Sequence, residues 1–255
     1  MKKALQILFI LSIFFPIAFL LLLSLGRNWP YPELLPQSLS LENWEFLQKS
    51  DSKLLQTFFL SLGISILVAT VTTALAFITS KHIALSKYRN KLMLLAYIPY
   101  VLSPVILAAT LHFFFIYAGI SGNVSGVLLA QFFIAYPFGV IILNNFWNHK
   151  TRAIEELSKT LGSSSWQTFK NVLLPISKNA LLLCFFQTFL VSWFEFGLTN
   201  LIGVGSVQTL TVRVFSFVNE ANIFYAALAS CLLILPPMIL IWINKRYIFA
   251  TETVI

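Results

Sequence analysis

Six long apolar stretches constrain the fold of this chain more than any other feature of its sequence. They are Ala4–Leu25, Leu54–Ser80, Leu92–Ala118, Val127–Trp147, Ala180–Ile202 and Ile223–Ile243. About 20 apolar residues suffice for a helix to cross a bilayer, and lipid leaves the backbone groups of most other structures unsatisfied. Only 10% of the 255 residues are charged, against about 25% in soluble domains. The sequence therefore predicts an all-α, polytopic membrane protein with six transmembrane helices in one domain, residues 1–255.

The first apolar stretch has one alternative interpretation, because Lys2 and Lys3 precede it as they would in a signal peptide. Its apolar run is about 22 residues long, whereas a cleavable segment has about 7–15. The residues that follow, 25–28, form a poor cleavage site. We therefore expect a membrane anchor that is retained.

The distribution of Lys and Arg predicts the orientation. With six spans, one side of the membrane receives both termini and 13 of the 17 basic residues, which are Lys2, Lys3, Lys81, Lys87, Arg89, Lys91, Lys150, Arg152, Lys159, Lys170, Lys178, Lys245 and Arg246. The other side receives Arg27, Lys49, Lys53 and Arg213. Cytoplasmic loops carry the basic excess, so both termini are expected in the cytoplasm. The net charge of +8 follows from orientation and from contact with anionic lipid, and it requires no nucleic-acid partner.

The cytoplasmic loop 148–179 is patterned as two short helices separated by a turn. Ile154, Leu157 and Leu161 recur at the spacing of one helical face. Asn148 or Thr151 is expected to cap the start of the first helix. Glu155 and Glu156 are expected near that start, where the helix dipole favours acidic groups.

The turn between the two helices is predicted at Gly162, which suits a left-handed helix end. Ser163, Ser164 and Ser165 offer a cap for the second helix. That helix is not expected to continue through Pro175 without a kink. From the pattern alone, the pair could lie on the membrane with its apolar face among the headgroups, or it could bind a soluble partner.

The loop resembles the EAA loop of binding-protein-dependent ABC importer permeases. The positions in register with the family pattern are Glu156, Gly162, Leu174 and Pro175, with Val172 in place of an isoleucine. Leu157 and Ser158 stand where the pattern has two alanines. The resemblance implies a MetI-like permease fold in the bacterial inner membrane. It also implies that the first helix of the loop is a coupling helix, docked in a groove of an ATPase subunit.

The same resemblance implies site residues and partners. Glu156 and Gly162 are signature positions, and Leu157, Ser158 and Leu161 are the expected docking surface for the ATPase. The expected partners are an ATPase dimer, a second permease subunit (a copy of this chain or a paralogue) and an extracytoplasmic solute-binding protein. The chain has no G-x-x-x-x-G-K-[ST] phosphate loop. We therefore expect it to be no enzyme and to hold no cofactor, with ATP and Mg bound by the partner.

Three residues are candidates for a pore or gate, because ionisable and polar groups in lipid are costly. Glu195 and Trp193 belong to a Trp-x-Glu-Phe-Gly run similar to one in these permeases. Glu195 could line the translocation path, or it could be a structural carboxylate bonded to a neighbouring helix through Gln208 or Arg213. His112, in the third stretch, is more typical of a packed, hydrogen-bonded residue than of a substrate ligand.

The substrate is indicated only weakly. Glu195–Thr199 and Thr209–Val212 are similar to the branch of the family that handles thiamine, polyamines, ferric iron, sulfate or molybdate. Two other classes remain possible at this stage. A secondary transporter driven by an ion gradient would be expected to show inverted repeats or several intramembrane acids, and a non-transporting membrane scaffold could also use a partner-binding loop.

Overall fold

The structure of the protein is a computed structural model that describes residues 2–27, 33, 36–48 and 53–247. Lys49, which the charge pattern assigns to the outer side, lies outside these ranges. The long helices are α1 (Lys2–Leu25), α3 (Leu54–Leu85), α4 (Arg89–Val101), α5 (Pro104–Tyr117), α6 (Val124–Asn144), α9 (Leu174–Trp193) and α12 (Ile223–Tyr247). The shorter ones are α2 (Glu42–Glu45), α7 (His149–Thr160), α8 (Ser165–Thr168), α10 (Gly197–Gly203) and α11 (Leu210–Asn219). The strands β1 (Gly26–Arg27) and β2 (Ser38–Leu39) form one antiparallel pair.

The number of spans agrees with the sequence prediction when one bent helix pair is counted as a span. Within the described residues, five helical segments are long and apolar enough to cross a membrane: Leu5–Leu25, Leu54–Leu85, Val124–Asn144, Ser165–Trp193 and Ile223–Lys245. The sixth is the pair formed by α4 and α5. The fold is thus all-α and polytopic, as predicted.

The third predicted span, Leu92–Ala118, is wrong as a single helix. Helices α4 and α5 meet at a bend of 95°. The break falls at Leu102 and Ser103, whose ψ angles of 143° and 133° are extended. The residue before a proline is disfavoured in the helical region, and a proline is well suited to begin a helix. Pro104 therefore ends the path of α4 and starts α5 in a new direction.

The chain divides into two compact units. The first comprises residues 1–61 and 208–239. In it, Asn43 Nδ2 donates hydrogen bonds to the backbone oxygens of Ser24 and Gly26 at 3.1 and 3.0 Å. The Phe46 ring stacks on Tyr225 with centroids 4.2 Å apart. These contacts fix α2 and the short turn after it against the end of α1 and the start of α12.

The second unit, residues 62–207 and 240–255, carries the loop of interest and the pore candidates. Within it, α6 packs against α9 and α4, while α10 packs against α5 and α6. Its core near the loop is a buried cluster of Ala76, Phe77, Ile83, Val140, Leu143, Trp147, Leu173 and Cys184. Helix α3 has 32 residues and so a length of about 48 Å, which exceeds the roughly 30 Å hydrocarbon core. Its C-terminal end therefore extends beyond the lipid toward the loop.

Pro175 does not end the second loop helix. A π-helical turn, Phe169–Leu173, joins α8 to α9, so the helical path from Ser165 continues through Pro175. A proline inside an α-helix removes a hydrogen bond and clashes with the carbonyl four residues earlier. The wider π turn, a rare element that occurs mostly as a single turn within longer helices, accommodates the ring without a break.

Candidate functional site

The first helix of the loop, α7, is closed at both ends by the residues that the sequence indicated. Asn148 Oδ1 accepts a hydrogen bond from the backbone N–H of Thr151 at 3.1 Å. At the other end, Gly162 has φ +85°, and its N–H donates to the Lys159 carbonyl at 3.0 Å. That backbone region is strained for residues with a Cβ. Gly162 therefore allows the chain to reverse sharply after the helix.

The second helix begins with a capping box. Ser164 Oγ accepts the N–H of Gln167 at 3.3 Å, and Gln167 Oε1 accepts the N–H of Ser164 at 2.9 Å. This reciprocal arrangement satisfies donors that a helix start otherwise leaves free. The turn of residues 161–164 is thus fixed from both sides.

One expectation about the acidic pair of α7 is wrong. The helix begins at His149 and has no acidic residue in its first turn, so Glu155 and Glu156 lie nearly two turns from its positive end. The dipole effect is confined to the first and last turns. The two carboxylates are instead held by basic side chains.

Glu155 anchors α7 to the end of α3. Its Oε1 lies 2.8 Å from Lys81 Nζ and 2.9 Å from Lys159 Nζ. Burial acts to raise the pKa of this carboxyl, but the hydrogen bonds and charges of Lys81 and Lys159 outweigh it, so the pKa is lowered. Glu155 is therefore ionised at neutral pH and bridges two helices from a largely buried position.

Ser158 lies on the inner face of α7 and not on the expected docking surface. It is buried, and its Oγ lies 3.1 Å from Thr168 Oγ1, which is also buried. Its position follows from helical spacing, since Ser158 stands three residues after Glu155 and seven after Thr151, the other buried residues of α7. Ser158 joins the two loop helices, so it does not belong to the exposed docking surface.

The outer face of α7 is apolar and exposed. Leu157 is 60% exposed and Leu161 is 78% exposed. Glu156 forms an ion pair with Arg152 at 2.7 Å across one helical turn, on the side of the helix away from Leu161, and both side chains are more than half exposed. Two large leucines on a helix fixed from its inner face present an apolar surface with a defined shape.

Aromatic packing supports the loop from beneath. The Phe77 ring lies 4.9 Å from Trp147 and 6.2 Å from Phe169, between ring centroids. Trp147 Nε1 donates to Ser80 Oγ at 2.9 Å. The signature residues Leu174 and Pro175 follow this layer at the start of α9, where both are exposed. The loop is therefore continuous with the helices that lead into the membrane.

Glu195 is a structural cap within a buried polar network. It precedes α10, and its carboxylate accepts the backbone N–H of Leu198 at 2.6 Å and of Thr199 at 2.9 Å. Thr199 Oγ1 donates to the same carboxylate at 2.6 Å. These bonds are local to the turn between α9 and α10.

The network continues into α6, α9 and α3. Gln131 Nε2 donates to Thr199 Oγ1 at 2.9 Å, and Ser192 Oγ donates to Gln131 Oε1 at 2.5 Å. Ser192 Oγ also lies 3.1 Å from Ser65 Oγ. All four of these side chains are buried. Because each polar atom in such a site is costly to leave unpaired, the network fixes where α10 sits.

The two other pore candidates have packing contacts. Trp193 is 1% exposed and stacks on Phe189 with centroids 5.6 Å apart. His112 is partly buried, and its Nδ1 lies 3.4 Å from Ser121 Oγ. Both environments match structural residues of the helix bundle.

Sequence reasoning missed three residues that the structure makes central. Lys81 was counted only as a charge for orientation, and its pairing with Glu155 depends on a fold that sequence spacing does not show. Gln131 and Thr199 form the middle of the buried network. A signal for Gln131 was present, since an amide in the centre of an apolar stretch usually bonds to another helix.

The comparisons with known proteins agree with this all-α, polytopic architecture. Residues 83–248 match the family described as binding-protein-dependent transport system inner membrane component. This match covers well over half of the chain, and the chain belongs to that family. As a member of this family, the chain is a multi-pass protein of the inner membrane and a component of a transport system. Because the chain belongs to this family, it is no longer interpreted as a secondary transporter driven by an ion gradient or as a non-transporting scaffold.

Individual relatives extend the similarity over the whole chain. The maltose/maltodextrin transport system permease protein MalG of Escherichia coli K12 is 24% identical, over 96% of this chain and 90% of MalG. Sulfate permease 2, chloroplastic, of Chlamydomonas reinhardtii is 28% identical over 74% of this chain, and the match spans only 57% of that relative. A bacterial ABC transporter involved in the import of the acidic polysaccharide alginate has a chain with the same fold. Its TM-score is 0.69 at 16% identity, covering 97% of this chain and 95% of that one.

Proposed function

We propose that this chain forms half of the translocation pore of an ABC importer and is driven by a separate ATPase that docks on α7. The observation that carries the proposal is the two-sided character of this helix. Its inner face is held by Glu155 and Ser158, and its outer face presents Leu157 and Leu161. An apolar helix face that enters a groove is a recurrent mode of recognition between proteins.

The fixed inner face is what would make α7 a mechanical coupler. The ion pair with Lys81 connects α7 to the end of α3, and the bond between Ser158 and Thr168 connects it to the helical path that continues into α9. A displacement of α7 by a closing ATPase dimer would therefore be transmitted to at least two membrane helices. ATP and Mg belong to the ATPase in this scheme.

The remaining parts of the proposed assembly follow from membership of the family. With six spans it supplies one half of a pore, and the other half comes from a copy of itself or a paralogue. A solute-binding protein delivers the substrate from outside. The sulfate permease relative supports the branch of thiamine, polyamine, iron, sulfate and molybdate importers as the substrate class.

The orientation is tested by cysteine labelling from each side of the membrane. When the permease is expressed without its ATPase, Leu161→Cys should react with a membrane-impermeant maleimide in inverted vesicles and stay unreacted in intact spheroplasts, because the loop is expected to be cytoplasmic. Glu220→Cys, an exposed position on the opposite side, should show the reverse pattern. The natural Cys184 and Cys231 are buried, so background labelling is low. Reaction of Leu161→Cys from outside would refute the orientation and the coupling role together.

A further inference from the structure

A polar cavity of about 150 Å³ lies beside α7, where the end of α3 meets the starts of α4 and α7. The lining residues that matter here are Lys81, Arg89, Trp147, His149, Arg152 and Glu155. A cavity of roughly 10–15 Å³ can already hold a water molecule. This one is large enough for a tetrahedral oxyanion.

The cavity carries an excess of positive charge. Three of its side chains, Lys81, Arg89 and Arg152, are cationic, and its one lining carboxylate is Glu155. Arg152 is also paired, at 2.7 Å, with Glu156, which does not line the cavity. Glu155 is already bonded to Lys81 and to Lys159. Arg89 has no ion pair within the described part of the chain. The cavity therefore holds at least one guanidinium that is available to an anion.

The backbone adds to this charge. Arg89 and His149, which both line the cavity, are the first residues of α4 and α7, helices of 13 and 12 residues. Of the first N–H groups, that of Arg89 already donates to the Ser86 carbonyl at 3.2 Å and that of Thr151 to Asn148 Oδ1 at 3.1 Å. The backbone therefore contributes chiefly the partial positive charge of about +0.5 that each helix N-terminus carries. Two such ends and an arginine fork make a favourable environment for phosphate.

We propose that this cavity binds a phosphate oxyanion, and that its source is the headgroup of an anionic phospholipid in the cytoplasmic leaflet. The lipid source rests on the orientation proposed above, which places the cavity at the inner membrane surface. Trp147 and Leu85 also line it and give it an apolar wall beside its charged side chains. Basic pockets between helices on this side are suited to lipid headgroups.

The lipid site and the ATPase docking surface occupy different faces of α7. At about 100° per residue, Arg152 lies on the opposite side of the helix from Leu161. A bound headgroup would therefore leave the leucines exposed. Because Arg152 and Glu155 both line the cavity, the headgroup would brace α7 against α3 and α4, and the lipid composition would influence the coupling helix.

Native mass spectrometry of the purified full-length chain in neutral detergent tests this proposal without any ATPase, so its result is independent of coupling. The probes are phosphatidylglycerol, phosphatidylcholine and inorganic phosphate. Wild type should retain phosphatidylglycerol in preference to phosphatidylcholine. Arg89→Gln should bind phosphatidylglycerol about tenfold more weakly, as expected when one charge-assisted contact is lost. Lys170→Gln, which removes an exposed charge elsewhere on the same loop, should bind as wild type does.

The probes distinguish the two sources of phosphate. If millimolar inorganic phosphate displaces phosphatidylglycerol from wild type but does not bind Arg89→Gln, the oxyanion site is supported and its ligand is free phosphate. If phosphate does not compete, the lipid source is supported. Equal binding of phosphatidylglycerol by wild type and Arg89→Gln would overturn the proposal, because Arg89 would then contribute no attraction. An equal loss of binding in Arg89→Gln and Lys170→Gln would also overturn it, because the attraction would then come from general surface charge.

Discussion

Replacing both Leu157 and Leu161 by aspartate is expected to abolish association with the ATPase and, with it, ATP-driven uptake. Buried apolar anchors at the centre of an interface typically contribute about 2 kcal/mol or more each. Their combined loss, with two charges placed in an apolar groove, should weaken the complex by at least about a hundredfold. The measurement is the amount of ATPase that co-purifies with the permease when both are expressed together.

Two comparisons make this result specific. Leu157→Met with Leu161→Met keeps the apolar volume and should retain the ATPase, because volume-conserving apolar exchanges are well tolerated. Both leucines are exposed, so the aspartate variant should unfold at the wild-type temperature in detergent. If the aspartate variant still co-purifies with the ATPase at wild-type yield, α7 is not the docking helix.

Replacing Glu195 by alanine is expected to destabilise the protein by about 3 kcal/mol, since hydrogen bonds to a charged acceptor contribute about 1.5–3 kcal/mol each and buried donors would be left unpaired. The carboxylate accepts three bonds, from Leu198 N–H and from the N–H and Oγ1 of Thr199. The unfolding temperature in detergent should fall by about 6–12 °C. Glu195→Gln, which keeps one carbonyl oxygen, should fall between alanine and wild type.

The matched control is Glu220→Ala. Glu220 is also a glutamate on the same proposed side of the membrane, but it is exposed, and surface changes usually shift stability by less than about 0.5 kcal/mol. Its unfolding temperature should match wild type. An unchanged unfolding temperature in Glu195→Ala together with lost uptake would instead assign Glu195 to the translocation path.

The class of fold could be predicted because its determinants are local. Apolar length and charge bias define spans, and the caps at Asn148, Ser164 and Gly162 depend on neighbours a few residues away. Each of these caps forms where the sequence indicated it. The resemblance of the loop to the EAA pattern could be recognised from residue types at fixed spacings along the chain.

What the sequence did not provide depends on contacts between distant segments. Ser158 stands directly between the exposed Leu157 and Lys159, and which face of α7 is buried depends on where Lys81 and Thr168 lie in the fold. Lys81 and Glu155 are 74 residues apart. The third span was predicted as one helix, whereas the structure has a bent pair. The sequence shows a proline at position 104, but it does not show that the chain turns by 95° there.

The most direct test of the central claim is to identify what touches Leu161 in living cells. A photoreactive benzoylphenylalanine placed at Leu161 should, on illumination of the cells that naturally make this protein, cross-link to an ATP-binding subunit that carries a G-x-x-x-x-G-K-[ST] loop. The same group at Val105, which is 75% exposed on α5, should give no such adduct. Cross-links from Leu161 to lipid alone, or to an extracytoplasmic protein, would contradict the account.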